Sequence, residues 1–194
     1  MRRALALIFL FAPLAAVAQT GCPASFDYSG FQQPSQWQYI ADWRCATGPQ
    51  SPIDVSGPFA SERNKTIAVH YPTMKLTVAN SGYDFRVMPT LSGWISFPGV
   101  ARAVLVQFHF HVPSEHTLNG QPQTAGEIHF LNVDSVTGRR YVIAVLLRAD
   151  AVENPALQPI FNQLPLHLCQ KRITTIDFAS ILPSTAVYVA AILP

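Results

Sequence analysis

The chain has 194 residues, with 13 Lys or Arg against 11 Asp or Glu, six histidines and three cysteines. That length suits one domain with a full hydrophobic core. The near balance of charge supplies no basic surface for nucleic acid or an anionic membrane, so neither is expected as a partner.

The first 18 residues, MRRALALIFLFAPLAAVA, set two arginines before an apolar run too short to span a bilayer and end in small residues at Ala16 and Ala18. This is the pattern of a secretory signal peptide cut before Gln19. Cleavage removes two basic and no acidic residues, so residues 19–194 carry 11 of each sign. A lipid anchor on Cys22 needs Leu or a similar residue at the position of Gln19. No later stretch is long and apolar enough for a membrane helix. The expected product is a single soluble domain, 19–194, periplasmic or secreted and off the membrane after cleavage. In that oxidising setting Cys22, Cys45 and Cys169 predict one disulfide and one buried thiol, and none sits in a nucleophile motif.

Along the chain, turn clusters such as SGFQQPS, ATGPQSP, NSG, FPG and VTGRR separate short runs rich in Val, Ile, Phe, Thr and Tyr. Frequent turns between short strands predict a mainly β (α+β) domain. The predicted strands are Thr66–Val69, Lys75–Ala79, Tyr83–Val87, Ala103–His111, Gly126–Asn132 and Arg140–Leu147, and the predicted helix is Ala156–Leu164, after Asn154-Pro155. No repeat or linker divides the chain.

Four of the six histidines fall between Gln107 and Phe130. Alternate side chains of a strand share a face, so Gln107, His109 and His111 point one way while Val106, Phe108 and Phe110 form the core face. The next strand repeats the pattern, with Glu127, His129 and Leu131 opposed to Ile128 and Phe130. Two adjacent antiparallel strands thus present three imidazoles to one point, and three imidazoles leave one tetrahedral position open, as in catalytic zinc sites. Gln107 and Glu127 are spaced to accept the far ring N–H groups and orient the ligands. His116 is expected to hydrogen-bond rather than ligate, and His70 and His167 to carry no function.

These residues carry a resemblance. Tyr28-Ser29-Gly30, Gln50-Ser51-Pro52-Ile53-Asp54, Gln107-Phe108-His109-Phe110-His111, Ser114-Glu115-His116-Thr117, Glu127-Ile128-His129 and Leu182-Pro183 are collinear with the motifs of α-class carbonic anhydrases, which the chain resembles over most of residues 19–194. The resemblance implies a twisted, largely antiparallel central sheet with a few short helices. It implies a Zn2+ cofactor on His109, His111 and His129, with Gln107 and Glu127 behind the ligands. The implied reaction is reversible hydration of CO2 to bicarbonate and a proton, the metal lowering the pKa of its water. It also implies an apolar substrate pocket at Leu131, Tyr141 and Ile143, and in Glu115 a buried carboxylate that orients a threonine hydroxyl beside the metal. The position of the family's proton-shuttling histidine falls on Tyr83, whose ordinary pKa near 10 suits proton transfer at neutral pH poorly.

The family's threonine lies in a Ser-Leu-Thr-Thr-Pro-Pro segment after the Leu-Pro and Tyr seen here as Leu182-Pro183 and Tyr188, where this sequence runs Val189-Ala190-Ala191-Ile192-Leu193-Pro194. The resemblance therefore predicts a domain incomplete at its C-terminus, lacking an inner strand. A homodimer across that gap is one way to cover the bared edges. Cys45, at the position of the family's first disulfide cysteine, is left Cys22 or Cys169 as partner. Two other readings follow from the same residues. One is a zinc-binding but catalytically impaired protein acting as an interaction module. The other is a cupin-like metalloprotein, because His109, His111 and Glu115 also fit a His-x-His-x3-Glu pattern for iron or manganese, although the glycines usual around that pattern are absent.

Overall fold

A computed structural model of the chain describes residues 51–57, 67–82, 84–151 and 153–182. Runs of β-branched and aromatic residues favour a pleated, half-buried surface, and strands dominate. In chain order they are β1 (Asp54–Val55), β2 (Ala68–His70), β3 (Met74–Asn80), β4 (Phe85–Pro89), β5 (Trp94–Phe97), β6 (Val100–His111), β7 (Thr117–Leu118), β8 (Gln121–Pro122), β9 (Glu127–Asp134), β10 (Arg140–Leu146) and β11 (Lys171–Ile176). A one-turn helix, α1 (Gln158–Phe161), precedes β11, and a 3-10 turn at Phe178–Ser180 follows it.

Among the described residues eight strands form one sheet with the order β10-β9-β6-β4-β3-β11, while β5 pairs with β6 and β2 with β5. Every pairing in this sheet is antiparallel. The architecture is the mainly β one that the sequence predicts. Strand β6 is its hub, with β9 along one side and β5, then β4, along the other. A small second sheet joins β1, β7 and β8. Asn119-Gly120 turns β7 into β8 with φ of 51° and 75°, the positive pair that a two-residue type I′ hairpin needs.

Strands β1, β5, β7, β8 and β11 are missing from the sequence expectation. The first four are short, and β11 reads Lys-Arg-Ile-Thr-Thr-Ile with only Ile176 buried. Its pairing with β3, from Lys171 opposite Ala79 to Ile176 opposite Met74, is a long-range fact with no local apolar pattern to announce it. The helix is shorter than Ala156–Leu164 because Pro159 is tolerated only in a first turn and Pro165 pushes its predecessor out of the α region. Of the expected strand starts, Thr66 and Tyr83 lie outside the described residues, as do Cys22 and Cys45. Cys169 is disulfide-bonded.

The core lies on one face of the large sheet. Phe108, Phe130 and Phe178 are fully buried there beside Leu76, Val78, Val87, Ile95 and Ile128. The Phe108 ring centroid is 5.1 Å from that of Phe130 and 5.2 Å from that of Phe178, the latter edge-on, within the range of favourable aromatic pairs. Tyr71 donates its hydroxyl to Asn132 Oδ1 at 2.9 Å, which satisfies a buried amide.

Simple alternation fails at one place in β6. Leu105 pairs with Asn132 and Gln107 with Leu131, so Val106 is an extra residue without a partner on β9. This is a β-bulge, and it reverses which positions face inward: Ala103 and Leu105 are buried before it, Phe108 after it. Val106, expected on the core face with Phe108 and Phe110, is instead 43% exposed. Without the bulge, the parity that buries Leu105 would also drive Gln107, His109 and His111 into the core.

Candidate metal centre

On the face opposite the aromatic core, β6 presents Gln107, His109 and His111 while β9 presents Glu127, His129 and Leu131. The register sets His109 directly opposite His129 and His111 opposite Glu127, and such cross-strand pairs have Cβ atoms about 4.5–5.5 Å apart. Ring centroids are 4.7 Å apart for His109 and His111, 4.6 Å for His111 and His129, and 5.4 Å for His109 and His129. One nitrogen from each ring lies within 4.8 Å of one from each of the others. The three imidazoles expected from the sequence therefore do converge.

Each ring is held from behind. His109 Nδ1 is 2.9 Å from Gln107 Oε1; since an amide oxygen only accepts, the ring proton sits on Nδ1 and Nε2 keeps its lone pair. His129 Nε2 lies 3.0 Å from Glu127 Oε1, close but off the line of a well-directed hydrogen bond, which turns Nδ1 toward the other two rings. Glu115 sits at 3.4 Å from His111 Nδ1 and 3.8 Å from His129 Nδ1. Burial first, then repulsion from His111 and His129, pulls the His109 pKa from 6.5 down to about 4. Burial likewise lowers that of His111, against the attraction of Glu115. His109 and His111 are thus neutral at pH 7, the form that ligates metal.

Glu127 is the buried hub of the site. Its Oε2 accepts the backbone N–H groups of Glu115 and His116 at 2.9 and 3.0 Å, and its Oε1 accepts the ring N–H of His116 Nδ1. Burial alone would raise its pKa; the hydrogen bonds from His116 and the close approach of His129 outweigh that and hold it far below the usual carboxylate range. His116 also approaches Ser51 Oγ at 3.4 Å through Nε2. His116 therefore takes the hydrogen-bonding place expected of it, although Glu115 and His116 lie in the bend after β6 rather than along a strand. Sequence spacing placed Glu127 behind His129 but gave no sign that it also ties down the 115–116 bend.

Two features of the site have no counterpart in the sequence reading. Gly126 has φ of +107°, and a Cβ there would come 2.3 Å from the His111 carbonyl oxygen. Only glycine lets the start of β9 approach His111, the last histidine of β6, so closely. Arg86 of β4 stands opposite His109 and donates from Nη2 to Asp84 Oδ2 at 3.0 Å, while Asp84 also accepts from the Ser81 hydroxyl. An ion pair thus borders the site beside His109.

The expected substrate-pocket residues do not gather. Leu131 shares the histidine face, but Tyr141 and Ile143 of β10 pair with Asn132 and Phe130, and all three apolar side chains of that group, Phe130, Tyr141 and Ile143, belong to the buried core. Partners opposite each other in an antiparallel pair point to the same face. The β10 residues facing the site are therefore Val142, opposite Leu131, and Ala144, opposite His129. The sequence assignment is out of phase by one residue, enough to reverse the face. Tyr83, expected at the proton-shuttle position, lies outside the described residues.

The comparisons agree with this geometry. The family profile of eukaryotic-type carbonic anhydrases matches residues 32–190, and the chain belongs to that family of enzymes. A carbonic anhydrase of Neisseria gonorrhoeae is 28% identical over 190 residues, an alignment spanning 96% of this chain and 74% of the relative. One from Klebsiella pneumoniae is 29% identical over 84% of this chain and 67% of its own length. Among solved structures, the α-carbonic anhydrase of Thermovibrio ammonificans in complex with sulfanilamide superposes with a TM-score of 0.70 at 31% identity, over 84% of this chain and 73% of that one. Membership of the family sets the cupin-like reading aside.

Proposed function

We propose that this chain binds Zn2+ through His109, His111 and His129 and hydrates CO2 reversibly to bicarbonate and a proton. The observation that carries the reading is the convergence of three imidazole nitrogens within 4.8 Å of one another on one sheet face. The donor set fits zinc: nitrogen ligands, no thiolate, and a fourth tetrahedral position left open. When bound, zinc lowers the pKa of its water to about 7, the value established for carbonic anhydrases as a class, and so supplies the nucleophile that CO2 needs.

The chain's own residues then have distinct tasks. Gln107 fixes the His109 tautomer so that Nε2 stays a lone-pair donor. Glu127, ionised and fully buried, orients His129 and anchors the bend that holds Glu115. Glu115 places a carboxylate against His111 and His129, where it favours a cationic centre and can accept a hydrogen bond from a polar group beside it. Leu131, Val142 and Ala144 supply apolar surface next to the rings, suited to a small nonpolar substrate. The sequence resemblance puts Tyr83 in place of a shuttle histidine, and on that reading proton export relies on buffer.

We further propose export: residues 1–18 act as the signal, with cleavage before Gln19. Stopped-flow CO2 hydration on residues 19–194, with zinc content measured on the same sample and His109→Ala as control, tests the function. A zinc-dependent rate lost in the control supports it. Stoichiometric zinc without a rate above background supports instead the reading of a zinc-binding, catalytically impaired interaction module.

A further inference from the structure

Three neutral imidazoles bring no charge to a divalent cation, so compensation has to come from carboxylates around them. Glu127 stands 3.0 Å from His129 Nε2, and Glu115 lies 3.4 Å from His111 Nδ1 and 3.8 Å from His129 Nδ1. Both carboxylates therefore serve the His111 and His129 side. Behind His109 the partner is the uncharged amide of Gln107.

A third carboxylate comes from the residue just before β4. Arg86 is the cross-strand partner of His109 and so shares its face. Asp84, two residues earlier, has the same parity and is tied to Arg86 Nη2 at 3.0 Å. Continuing the register sets Asp84 level with His111. Its carboxylate also accepts the Ser81 hydroxyl, and the Ser81 oxygen accepts the Asp84 backbone N–H at 3.1 Å, so the group is pinned from two sides. The two halves of the ion pair differ in burial: the Asp84 side chain is 4% exposed and that of Arg86 35%. A buried charge is screened far less than a partly exposed one, and the pair therefore reaches the imidazoles as a net negative charge. The histidines respond accordingly. Asp84 acts to raise the pKa of both His109 and His111, and at His109 its effect exceeds the lowering by Arg86. A carboxylate buried this far costs more to desolvate than one ion pair dependably returns, so fold stability alone is a poor account of it.

We propose that Asp84, held by Ser81 and Arg86, is a positioning residue of the metal centre: it supplies negative charge on the His109 side and so raises the affinity for a divalent cation. The inference rests on the zinc reading above and deepens it. Arg86 has two effects that oppose each other. It fixes the Asp84 carboxylate in place, and its own charge acts against the cation. The pair thus carries a signature that a purely structural bridge lacks. Removing either half of a structural bridge loosens the site alike, whereas removing the halves of an electrostatic pair moves metal affinity in opposite directions.

The test is zinc affinity, measured by chelator competition at neutral pH and low ionic strength, for the wild-type protein, Asp84→Asn, Arg86→Gln and the double variant. Asp84→Asn is expected to weaken binding about three- to tenfold, less than the loss of a group hydrogen-bonded to a ligand. Arg86→Gln is expected to leave binding unchanged or tighten it by up to about threefold, and the double variant to fall between the two. A loss in Arg86→Gln as large as that in Asp84→Asn marks a structural bridge and overturns the proposal. Urea unfolding of the metal-free variants checks the fold; should Asp84→Asn not fold, the direction of change in Arg86→Gln decides alone, and weaker binding there overturns the proposal. Stoichiometric zinc with equal affinity in all four proteins overturns this inference and leaves the zinc reading standing. A wild-type protein that takes up no stoichiometric zinc overturns both.

Discussion

Replacing Glu127 by Gln probes the support of the metal centre without changing its shape. In the native site Oε2 accepts two backbone N–H groups, from Glu115 and His116, and Oε1 accepts the His116 ring N–H and lies 3.0 Å from His129 Nε2. An amide keeps one oxygen and turns the other position into a donor. With nitrogen in the Oε2 place it faces two buried backbone donors, each of which then lacks an acceptor at a cost of about 1–3 kcal/mol. With nitrogen in the Oε1 place His116 can change tautomer, but His129 loses its carboxylate and the remaining bonds lose their charge assistance, roughly 1 kcal/mol each. The second arrangement is the less costly, and it predicts a loss of about 2–4 kcal/mol in urea unfolding of the metal-free protein at pH 7. Zinc affinity, measured by competition with a chelator, is expected to fall about 10–100-fold because His129 is no longer oriented. A stability change below about 0.5 kcal/mol with unaltered zinc affinity refutes the assignment of Glu127 as the hub.

The other expectations concern the core, the sharp approach at β9, pH and proton export. Phe108→Ala empties a fully buried position against Phe130 and Phe178 and is expected to cost about 3–5 kcal/mol by urea denaturation; a loss below about 1 kcal/mol contradicts the packing. Gly126→Ala sets a Cβ against the His111 carbonyl at positive φ; it is expected to cost more than about 2 kcal/mol by the same measurement and to weaken zinc binding, whereas a neutral result shows that the approach is not tight. Because the fold holds His109 at about 4 instead of 6.5, the unfolded chain binds more protons between those values. The stability of the metal-free protein is therefore fully present above about pH 6.5 and declines as pH falls from there toward about 4; a urea midpoint flat from pH 7 to 5 rejects this. On the proposal that Tyr83 stands in for a shuttle histidine, turnover is expected to rise with imidazole concentration at fixed pH, and independence from imidazole rejects it.

The sequence by itself determined which histidines meet. A strand alternates its faces whatever surrounds it, so His109, His111 and His129, with Gln107 and Glu127 two residues upstream of the first and the last, were legible from spacing alone, as were the mainly β class and the strands from β3 to β10 that carry regular apolar patterns. Only tertiary structure decided what depends on register between distant segments. The bulge at Val106 changes the inward parity within one strand, and nothing local marks it, since Leu105, Val106 and Phe108 are all apolar. Strand β11 is polar and exists through its pairing with β3. Tyr141 and Ile143 went to the core, and Val142 and Ala144 to the site, because a shift of one residue in pairing exchanges the two faces of a strand. Glu127 became the anchor of the 115–116 bend because folding returns that bend over the start of β9. Periodicity is written along the chain, whereas register is set between chain segments, by the hydrogen bonds and packing that only the assembled sheet provides.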